Sequence, residues 1–235
     1  MFTLSQFIMS TKLWGKVIVT IRLEKIVSPP NTCKNSEVLC AIRCGDFYIE
    51  PQLFFKNLNS FEHMLLFKRV LESIDNSELD GCVTFSINTP IEVLSQGDEI
   101  FTALLGVGHR KVALELMECD IEKYGDREYA VINKLSEMKH ISIWLDDFGA
   151  GSSNFDILIA KKIRIDSVKV AKELFWELMK SDTAFLASFL KHLRKSYNVI
   201  VEGVETKEQY DFICAFTGVK AQGYYFLTDS ELVHE

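Results

Sequence analysis

Strand-like and helix-like segments alternate about eight times along this chain, which predicts an α/β fold, a TIM-like (β/α)8 barrel. The length of 235 residues and the 48% content of hydrophobic residues suit one such barrel with a single core. Polar residues recur near the ends of strands that lie far apart in sequence, and a barrel gathers strand ends at one mouth. We predict a short leader at residues 1–15, packed on one domain at residues 16–235.

The first two strands are predicted from β-branched residues and from alternation. Residues 16–23 (KVIVTIRL) are rich in Val, Ile and Thr, and Pro29 and Pro30 predict the loop that follows. Residues 37–43 (EVLCAIR) predict a second strand, which begins with an acid. On the two-residue period of a strand, four of its residues share one face: Glu37, Leu39, Ala41 and Arg43.

The middle of the chain alternates helix and strand. Apolar residues at spacings of three and four predict a helix over 61–74, with Ser60 as its cap and Asn76 just beyond its end. A strand over 82–87 ends at Asn88, which fits a turn or helix-capping residue as well as a site residue. The next elements are predicted as a helix over 91–105, a strand over 111–116 and a helix over 128–138.

Acids at strand ends are the strongest sign of a site. Residues 141–154 (ISIWLDDFGAGSSN) predict a strand that stops at Asp146 and Asp147, then a glycine loop and a serine-capped helix. Two adjacent carboxylates repel each other unless a cation lies between them, so the pair predicts a divalent metal ion. Glu115, inside an apolar strand, needs a partner for the same reason. Alone, the Asp pair fits a solvated turn equally well, but polar residues at other strands favour a site.

The last third of the chain predicts three more strands. In order, the elements are a strand over 163–170, helices over 172–179 and 184–196, a strand over 197–201, a helix over 207–216 and a strand over 219–226. Lys169, Glu202 and Gln222 lie in these strands or directly after them. We expect the barrel to bring them to the mouth beside the acids.

Composition limits the partners. The net charge of −7 argues against binding of a nucleic-acid polymer, although bound metal ions would still permit an anionic phosphate substrate. No apolar run is long enough to span a membrane and no signal peptide is recognisable, so we expect no membrane partner. Six cysteines without a CxxC pair predict reduced and mostly packed thiols in a cytoplasmic protein.

Seven motifs, in the family's order, resemble those of the EAL domain family, whose members are phosphodiesterases of the bacterial second messenger cyclic di-GMP. The tripeptide that names the family reads EVL at 37–39, and the most specific matches are DDFGAGSSN at 146–154 and VEGVETKEQ at 201–209. The others are SINTP at 86–90, LELMEC at 114–119, DSVKV at 166–170 and QGYYF at 222–226. The matches span nearly the whole chain, which resembles a stand-alone EAL protein without a recognisable sensory or cyclase region.

The resemblance implies two Mg²⁺ or Mn²⁺ ions, for which oxygen ligands are suited. The implied ligands are Glu37, Asn88, Glu115, Asp146, Asp147 and Glu202. Two such ions would clamp a phosphodiester for attack by water, opening cyclic di-GMP to linear pGpG. In the family this reaction controls biofilm, adhesion or motility.

The resemblance also implies roles for other residues. Lys169 would orient the attacking water or help to deprotonate it, and it is predicted to be catalytic together with Glu37 and Glu202. Gln222 and Leu39 would contact the substrate. The residues implied to steady the glycine loop over 148–154, which in the family couples metal binding to homodimer contacts, are Glu118 and Glu205.

Two positions on the first two strands depart from the family pattern. Ala41 stands where the family usually has a substrate-binding Arg, and Arg43, one step farther along the same face, is the candidate substitute. Glu24 aligns with a substrate glutamine of the first strand. The departures motivate an alternative to the active phosphodiesterase: a catalytically weak EAL-like module that binds cyclic di-GMP or a regulatory protein.

Overall fold

In the computed structural model, which describes residues 1–29, 32–79, 81, 83–151 and 163–227, ten strands form one sheet. They are β1 (Phe2–Thr11), β2 (Gly15–Ser28), β3 (Thr32–Cys44), β4 (Phe47–Ile49), β5 (Thr84–Asn88), β6 (Lys111–Met117), β7 (Ile141–Phe148), β8 (Ser167–Val170), β9 (Asn198–Val201) and β10 (Val219–Ala221). Within these described ranges, the strand order β2-β10-β9-β8-β7-β6-β5-β3, with β2 also paired to β3, closes an eight-stranded barrel. The predicted barrel is therefore confirmed.

One barrel strand runs against the others. Strands β3 and β5 to β10 are parallel, whereas β2 pairs antiparallel with both β3 and β10. The reason is the short connection from β2 to β3, since a parallel pair would need a crossover of a dozen or more residues. Pro30, in the predicted loop between them, lies outside the described residues.

The segment predicted as a leader is the strand β1, which pairs with β2 from Phe2↔Leu23 to Thr11↔Gly15. Strand β3 pairs with the barrel strand β5 only over residues 35–38, so its later part continues beyond the barrel mouth. There, β1, residues 15–23 of β2, residues 39–44 of β3 and β4 form a twisted ribbon, which we call the antiparallel extension.

Eight α-helices lie in the described part of the chain. They are α1 (Pro51–Lys56), α2 (Ser60–Asp75), α3 (Ile91–Leu94), α4 (Asp98–Gly106), α5 (Asp126–Ser136), α6 (Lys172–Ser181), α7 (Thr183–Leu193) and α8 (Lys207–Cys214). Two short 3-10 helices cover Glu118–Lys123 and Tyr224–Phe226.

Three predicted elements are wrong in detail. The cap of α2 is Asn59 rather than Ser60. The Glu62 N–H donates to the Asn59 side chain and the Asn59 N–H donates to the Glu62 side chain, which together form a capping box. The helix predicted over 91–105 is two helices, α3 and α4, divided before Gly97, whose φ of 53° a helix cannot contain. The strand predicted over 219–226 ends at Ala221.

The core has two parts. A large apolar cluster fills the space between the barrel and its helices, with outward-facing strand residues such as Leu114, Leu145 and Val199 fully buried. A smaller cluster lies on the inward-facing side of the strands, and we call it the barrel floor: Ile26, Ala113, Trp144 and Ile200. This floor lies beneath the barrel mouth, one step of two residues before several predicted site residues.

Among the helices in the described ranges, none has both the length and the apolar character that a membrane span requires. The described cysteines Cys40, Cys44, Cys119 and Cys214 are free thiols. Cys40 and Cys44 are half-buried, whereas Cys119 and Cys214 are exposed, so the predicted packing of the thiols holds for only two of these four.

Candidate active site

Lys169 lies at the centre of the barrel mouth, where its side chain is only 1% exposed. Its Nζ lies 2.9 Å from Asp146 Oδ1 and Glu202 Oε1, 3.0 Å from Glu37 Oε2 and 3.2 Å from Glu115 Oε1. Four carboxylates from four parts of the sequence thus meet one ammonium group. We call these five residues the acid–lysine cluster.

Parallel strands position the cluster because their carboxyl ends meet at one edge. Glu115, Asp146 and Lys169 are on β6, β7 and β8, and Glu202 follows β9 directly. The Glu202 N–H donates to Val170 O at 3.1 Å, which ties this residue to the end of β8. The sequence prediction that dispersed polar residues share one mouth holds for all of these positions.

Two amide side chains complete the surroundings of Glu37. Gln222 Nε2 donates to Glu37 Oε2 at 2.6 Å, and Asn88 Nδ2 donates to Glu37 Oε1 at 3.4 Å. The helix-capping alternative for Asn88 is wrong, because Pro90 occupies the N-cap of α3. The tight turn after Gln222 requires Gly223, where φ is 145° and a Cβ atom would lie 2.5 Å from the Val204 backbone.

The electrostatics keep Lys169 charged. Burial alone would lower the pKa of Lys169. The carboxylates of Asp146, Glu115, Glu202 and Glu37 together raise it by more, so the pKa lies well above its ordinary value. For Glu37, burial raises the pKa, but the Lys169 charge and hydrogen bonds from Gln222 and Lys169 together hold it below its ordinary value. Lys169 and Glu37 therefore form a stable ion pair within the cluster.

The remaining acids carry more negative charge than one lysine can neutralise. Burial and the nearby Glu37 raise the pKa of Glu115 well above its ordinary range. Burial and the charge of Asp146 raise the pKa of Glu202 to about 8, although Lys169 opposes this shift. Burial and Asp146 also raise the pKa of Asp147, to about 6. Part of the cluster is consequently protonated near neutral pH unless a further cation is bound.

The donor set fits hard divalent cations. Both oxygens of Glu115 and Oδ1 of Asp146 are buried without a hydrogen-bond partner, although Lys169 Nζ lies near two of them. The ligand atoms are all oxygens, as Mg²⁺ and Mn²⁺ prefer. In the described ranges, no three acidic, His or Cys side chains are spaced as a ready ligand set in this conformation. The acids are instead arranged around Lys169 Nζ.

The glycine loop begins beside the cluster. Asp147, near the end of β7, has a φ of 55°, which is unusual for a residue other than glycine, and it lies where the pairing register of β7 with β8 shifts between Leu145 and Phe148. Glu118 Oε2 accepts a hydrogen bond from Gly149 N at 3.0 Å, the contact that a loop-stabilising residue needs. Glu205 is exposed, and its N–H donates to Gln209 Oε1. The loop beyond Gly151, with its predicted serine cap, lies outside the described residues.

The predicted substrate residues on β3 occupy different places. Leu39 is half-buried, one step above Glu37 on the same strand. Arg43 is exposed in the antiparallel extension, six residues from Glu37, or about 20 Å at about 3.3 Å per residue. Substrate contacts by either residue stay predictions, and Arg43 is the more distant from the cluster.

Sequence reasoning missed the support below the cluster. Trp144 is the largest residue of the barrel floor, and Lys220 Nζ lies 6.0 Å from the centre of its ring. Burial lowers the pKa of Lys220. The signal for this layer was present, because Trp144, Ala113 and Ile200 each precede a predicted site acid by two residues.

A family model described as EAL domain matches residues 35–229. The cyclic di-GMP phosphodiesterase PdeH of Escherichia coli (strain K12) is 43% identical over 86 residues, which are 35% of this chain and 33% of PdeH. The bifunctional diguanylate cyclase/cyclic di-GMP phosphodiesterase MucR of Pseudomonas aeruginosa is 30% identical over 114 residues, 47% of this chain and 16% of MucR. The matched region is thus a third or less of the length of these curated relatives.

Solved structures share the fold. The PaMucR phosphodiesterase in complex with c-di-GMP has a TM-score of 0.70 at 19% identity, over 91% of this chain and 94% of that one. The EAL domain of FimX from Pseudomonas aeruginosa, bound to c-di-GMP, has a TM-score of 0.75 at 14% identity, over 89% and 90%. The EAL-like domain protein YdiV has a TM-score of 0.70 at 18% identity, over 86% and 88%. At these identities the likeness establishes the barrel fold alone.

Proposed function

This chain belongs to the EAL domain family, and from that premise we propose that it hydrolyses cyclic di-GMP to linear pGpG with divalent metal ions. The observation that carries the proposal is the acid–lysine cluster, in which four buried or half-buried carboxylates lie within 3.2 Å of Lys169 Nζ. A structural core has no need for so many acids, because burying them is costly. The 43% identity to part of PdeH supports the same activity.

The proposed metal ligands are the acids of the cluster with Asn88 and Asp147. When bound, two Mg²⁺ or Mn²⁺ ions would neutralise the phosphate and activate a water for in-line attack. Asn88 and Gln222 both hold the Glu37 carboxylate in one orientation through hydrogen bonds. Gln222 Oε1 is buried without a partner, so it is available to accept a hydrogen bond from a substrate or from water.

Lys169 is proposed to act as a fixed positive charge. Without metal ions, the surrounding carboxylates raise the pKa of Lys169 well above the ordinary value, so it holds its proton at neutral pH. An ammonium among the carboxylates would orient the attacking water and offset the charge of the phosphate. Orientation of the water, one of the two roles that the family resemblance implies for Lys169, is the role that we propose.

The test is turnover by the purified protein. Cyclic di-GMP is incubated with Mg²⁺ or Mn²⁺, and the products are separated by chromatography; we expect pGpG, and we expect EDTA to abolish it. Failure to form pGpG with either ion would exclude the enzyme. Full turnover by Glu37→Ala would contradict the metal assignment, because Glu37 lies at the centre of the hydrogen-bonded cluster.

A second candidate is a catalytically weak module that binds cyclic di-GMP or a regulatory protein. One feature favours it: Ala41, on the strand that carries Glu37, stands where the family usually has a substrate-binding Arg. Calorimetric binding of cyclic di-GMP without hydrolysis would support this candidate over the first.

Three further properties are part of the proposal. We propose a homodimer, coupled to the site through the glycine loop that Glu118 holds. Sedimentation of the protein with and without Mn²⁺ would test this proposal.

A cytoplasmic location agrees with the free thiols. Lower cyclic di-GMP would affect biofilm, adhesion or motility, and measurement of these after deletion of the gene would test that role.

A further inference from the structure

Arg22 lies at the base of the antiparallel extension, where the extension leaves the barrel mouth, and it faces the strand that carries Glu37. The register of β2 and β3 pairs Glu24 with Glu37 and Arg22 with Leu39. Residues directly opposite each other in an antiparallel pair share a face of the sheet, and so do residues two apart on one strand. Arg22 lies two residues from Glu24, which is opposite Glu37, so Arg22 and Glu37 share a face. On that face, Glu37 points into the acid–lysine cluster.

The distances follow from the same register. Arg22 is one step of two residues, about 6.6 Å, from Glu24 along β2 toward the antiparallel extension. It is the diagonal neighbour of both Glu37 and Ala41, and Cβ atoms in such pairs lie about 7 Å apart, within reach of long side chains. Arg22 thus lies just outside the cluster, on the side from which a ligand enters the mouth.

Arg22 has no partner within the described residues. Its guanidinium makes no salt bridge or hydrogen bond there, although the residue is half-buried. Arg110 and Arg69 differ: Arg110 donates to three backbone carbonyls, and Arg69 pairs with Glu72. The half-buried guanidinium of Arg22, with five N–H donors beside the mouth, is suited to bind an anionic ligand.

We propose that Arg22 binds the second phosphodiester of cyclic di-GMP, the one that is not cut. This inference rests on the proposed function. The substrate has two phosphodiesters in one ring, so when one lies at the acid–lysine cluster, the other needs a cation a few ångströms farther out. Arginine binds phosphate through two parallel N–H···O contacts, which suits this role.

Arg43 is the rival for this role, and its position is less suitable. Arg43 pairs with Ile18, two steps beyond the Arg22–Leu39 pair along the extension. That places it about 13 Å farther from the cluster at about 3.3 Å per residue. Arg22 therefore reaches a ligand bound at the cluster, whereas Arg43 reaches only the rim of the extension.

The experiment measures KM and kcat for cyclic di-GMP with saturating Mg²⁺. Arg22→Gln removes a charged phosphate contact, so we expect KM to rise about 10- to 100-fold while kcat changes less than about threefold. Arg22→Lys keeps the charge without the paired donors and should give an intermediate KM. Since a strand residue can affect folding, each variant is first compared with the wild type by thermal unfolding, and Arg22→Lys serves if Arg22→Gln does not fold.

Two more variants make the test specific. Ala41→Arg, added to Arg22→Gln, places a guanidinium on the diagonal neighbour. This second change should bring KM most of the way back to the wild-type value. Lys16→Gln removes an exposed charge from the same strand, six residues from Arg22, and should leave KM unchanged. Raising the salt from about 50 to about 300 mM should shrink the KM ratio between Arg22→Gln and wild type, because screening weakens a phosphate contact.

The outcomes separate the two levels of inference. If the wild type forms no pGpG, the proposed function fails and this inference falls with it. If the wild type is active but Arg22→Gln leaves KM within twofold, or lowers only kcat, the phosphate contact is excluded while the function stands. A KM ratio that does not respond to salt, or a larger KM effect from Arg43→Gln than from Arg22→Gln, would also overturn it.

Discussion

The mouth and the floor of the barrel use the same strands for opposite chemistry. On β6, β7 and β9, an apolar floor residue precedes an acid by two residues: Ala113 and Glu115, Trp144 and Asp146, and Ile200 and Glu202, which follows β9 directly. A step of about 6.6 Å along the inward face thus separates an apolar layer from a charged one. The difference teaches that position along the strand, rather than the strand itself, decides whether a residue contributes to stability or to a site.

The two layers also differ in what they do for folding. Floor residues remove apolar surface from water, which stabilises the folded chain by about 25 cal/mol per Å². The mouth removes four carboxylates and one ammonium from water, which is costly unless every charge is paired. We therefore expect variants of the floor to change the free energy of unfolding equally with and without metal ions. Variants of the mouth should change how much metal ions stabilise the protein.

The largest expected effect is at the floor. Trp144 is 3% exposed, and Trp144→Ala would leave a large cavity, so we expect a loss of about 3–5 kcal/mol in the free energy of unfolding. The loss should be the same in EDTA and in Mn²⁺. Urea denaturation under both conditions measures it, and Trp144→Phe is the conservative control. A loss that appeared only with Mn²⁺ would show that the floor and the mouth are one unit.

The next effect is at the mouth. Glu115 is fully buried and its pKa is raised well above the ordinary value, so burial disfavours its charged form and Glu115→Gln removes that cost. We expect stability in EDTA to be unchanged or higher, but turnover of cyclic di-GMP to fall about 10²- to 10³-fold, because a carboxylate ligand is lost. Parallel denaturation and activity assays measure both. Equal losses of stability and turnover would assign Glu115 to structure instead.

The sequence predicted the barrel because each βα unit has its own local pattern of alternation and helical spacing. The antiparallel direction of β2 has no such pattern, since alternation is the same in either direction. Residues 1–15 were predicted only as a leader packed on the domain, and the strand β1 within them is defined by its pairing with β2.

The site shows the same division. Glu37 and Gln222 are 185 residues apart in sequence, yet they share a hydrogen bond, and only the closed barrel brings them together. Motif resemblance located both residues, but not the contact between them. Arg22 carries no motif, and its place beside the mouth follows only from the register of β2 and β3.

A third prediction concerns pH. Glu202 has a pKa of about 8 in the folded state against an ordinary value of 4.5, so between these values the folded state holds a proton that the unfolded state has lost. Stability from this group is therefore present below pH 4.5 and is lost as the pH rises to about 8, by at most about 1.4 kcal/mol per pH unit. Mn²⁺ should flatten this slope by binding the ionised form.

Denaturation in EDTA from pH 5 to pH 8, with Glu202→Gln as the matched control, measures that slope. The difference in stability between the wild type and Glu202→Gln isolates this carboxyl from the other titrating groups, including Asp147 with its pKa of about 6. A difference that is constant across the range, or that moves in favour of the wild type as the pH rises, would contradict the prediction.

The smallest expected effect is at the loop that joins the mouth to the surface. Glu118 Oε2 accepts a hydrogen bond from Gly149 N, and Gly149 packs closely on Leu174, since a Cβ atom on Gly149 would lie 2.4 Å from Leu174 Cδ2. Glu118→Gln weakens one charge-assisted hydrogen bond, so we expect a loss of about 1 kcal/mol and faster exchange of the Gly149 amide. Hydrogen exchange measures the amide directly, and urea denaturation measures the stability. Because Gly149 follows the metal-site candidate Asp147 by two residues, a loosened loop should also weaken the Mn²⁺ response of the mouth. Unaltered exchange at Gly149 would show that packing against Leu174 alone holds the loop.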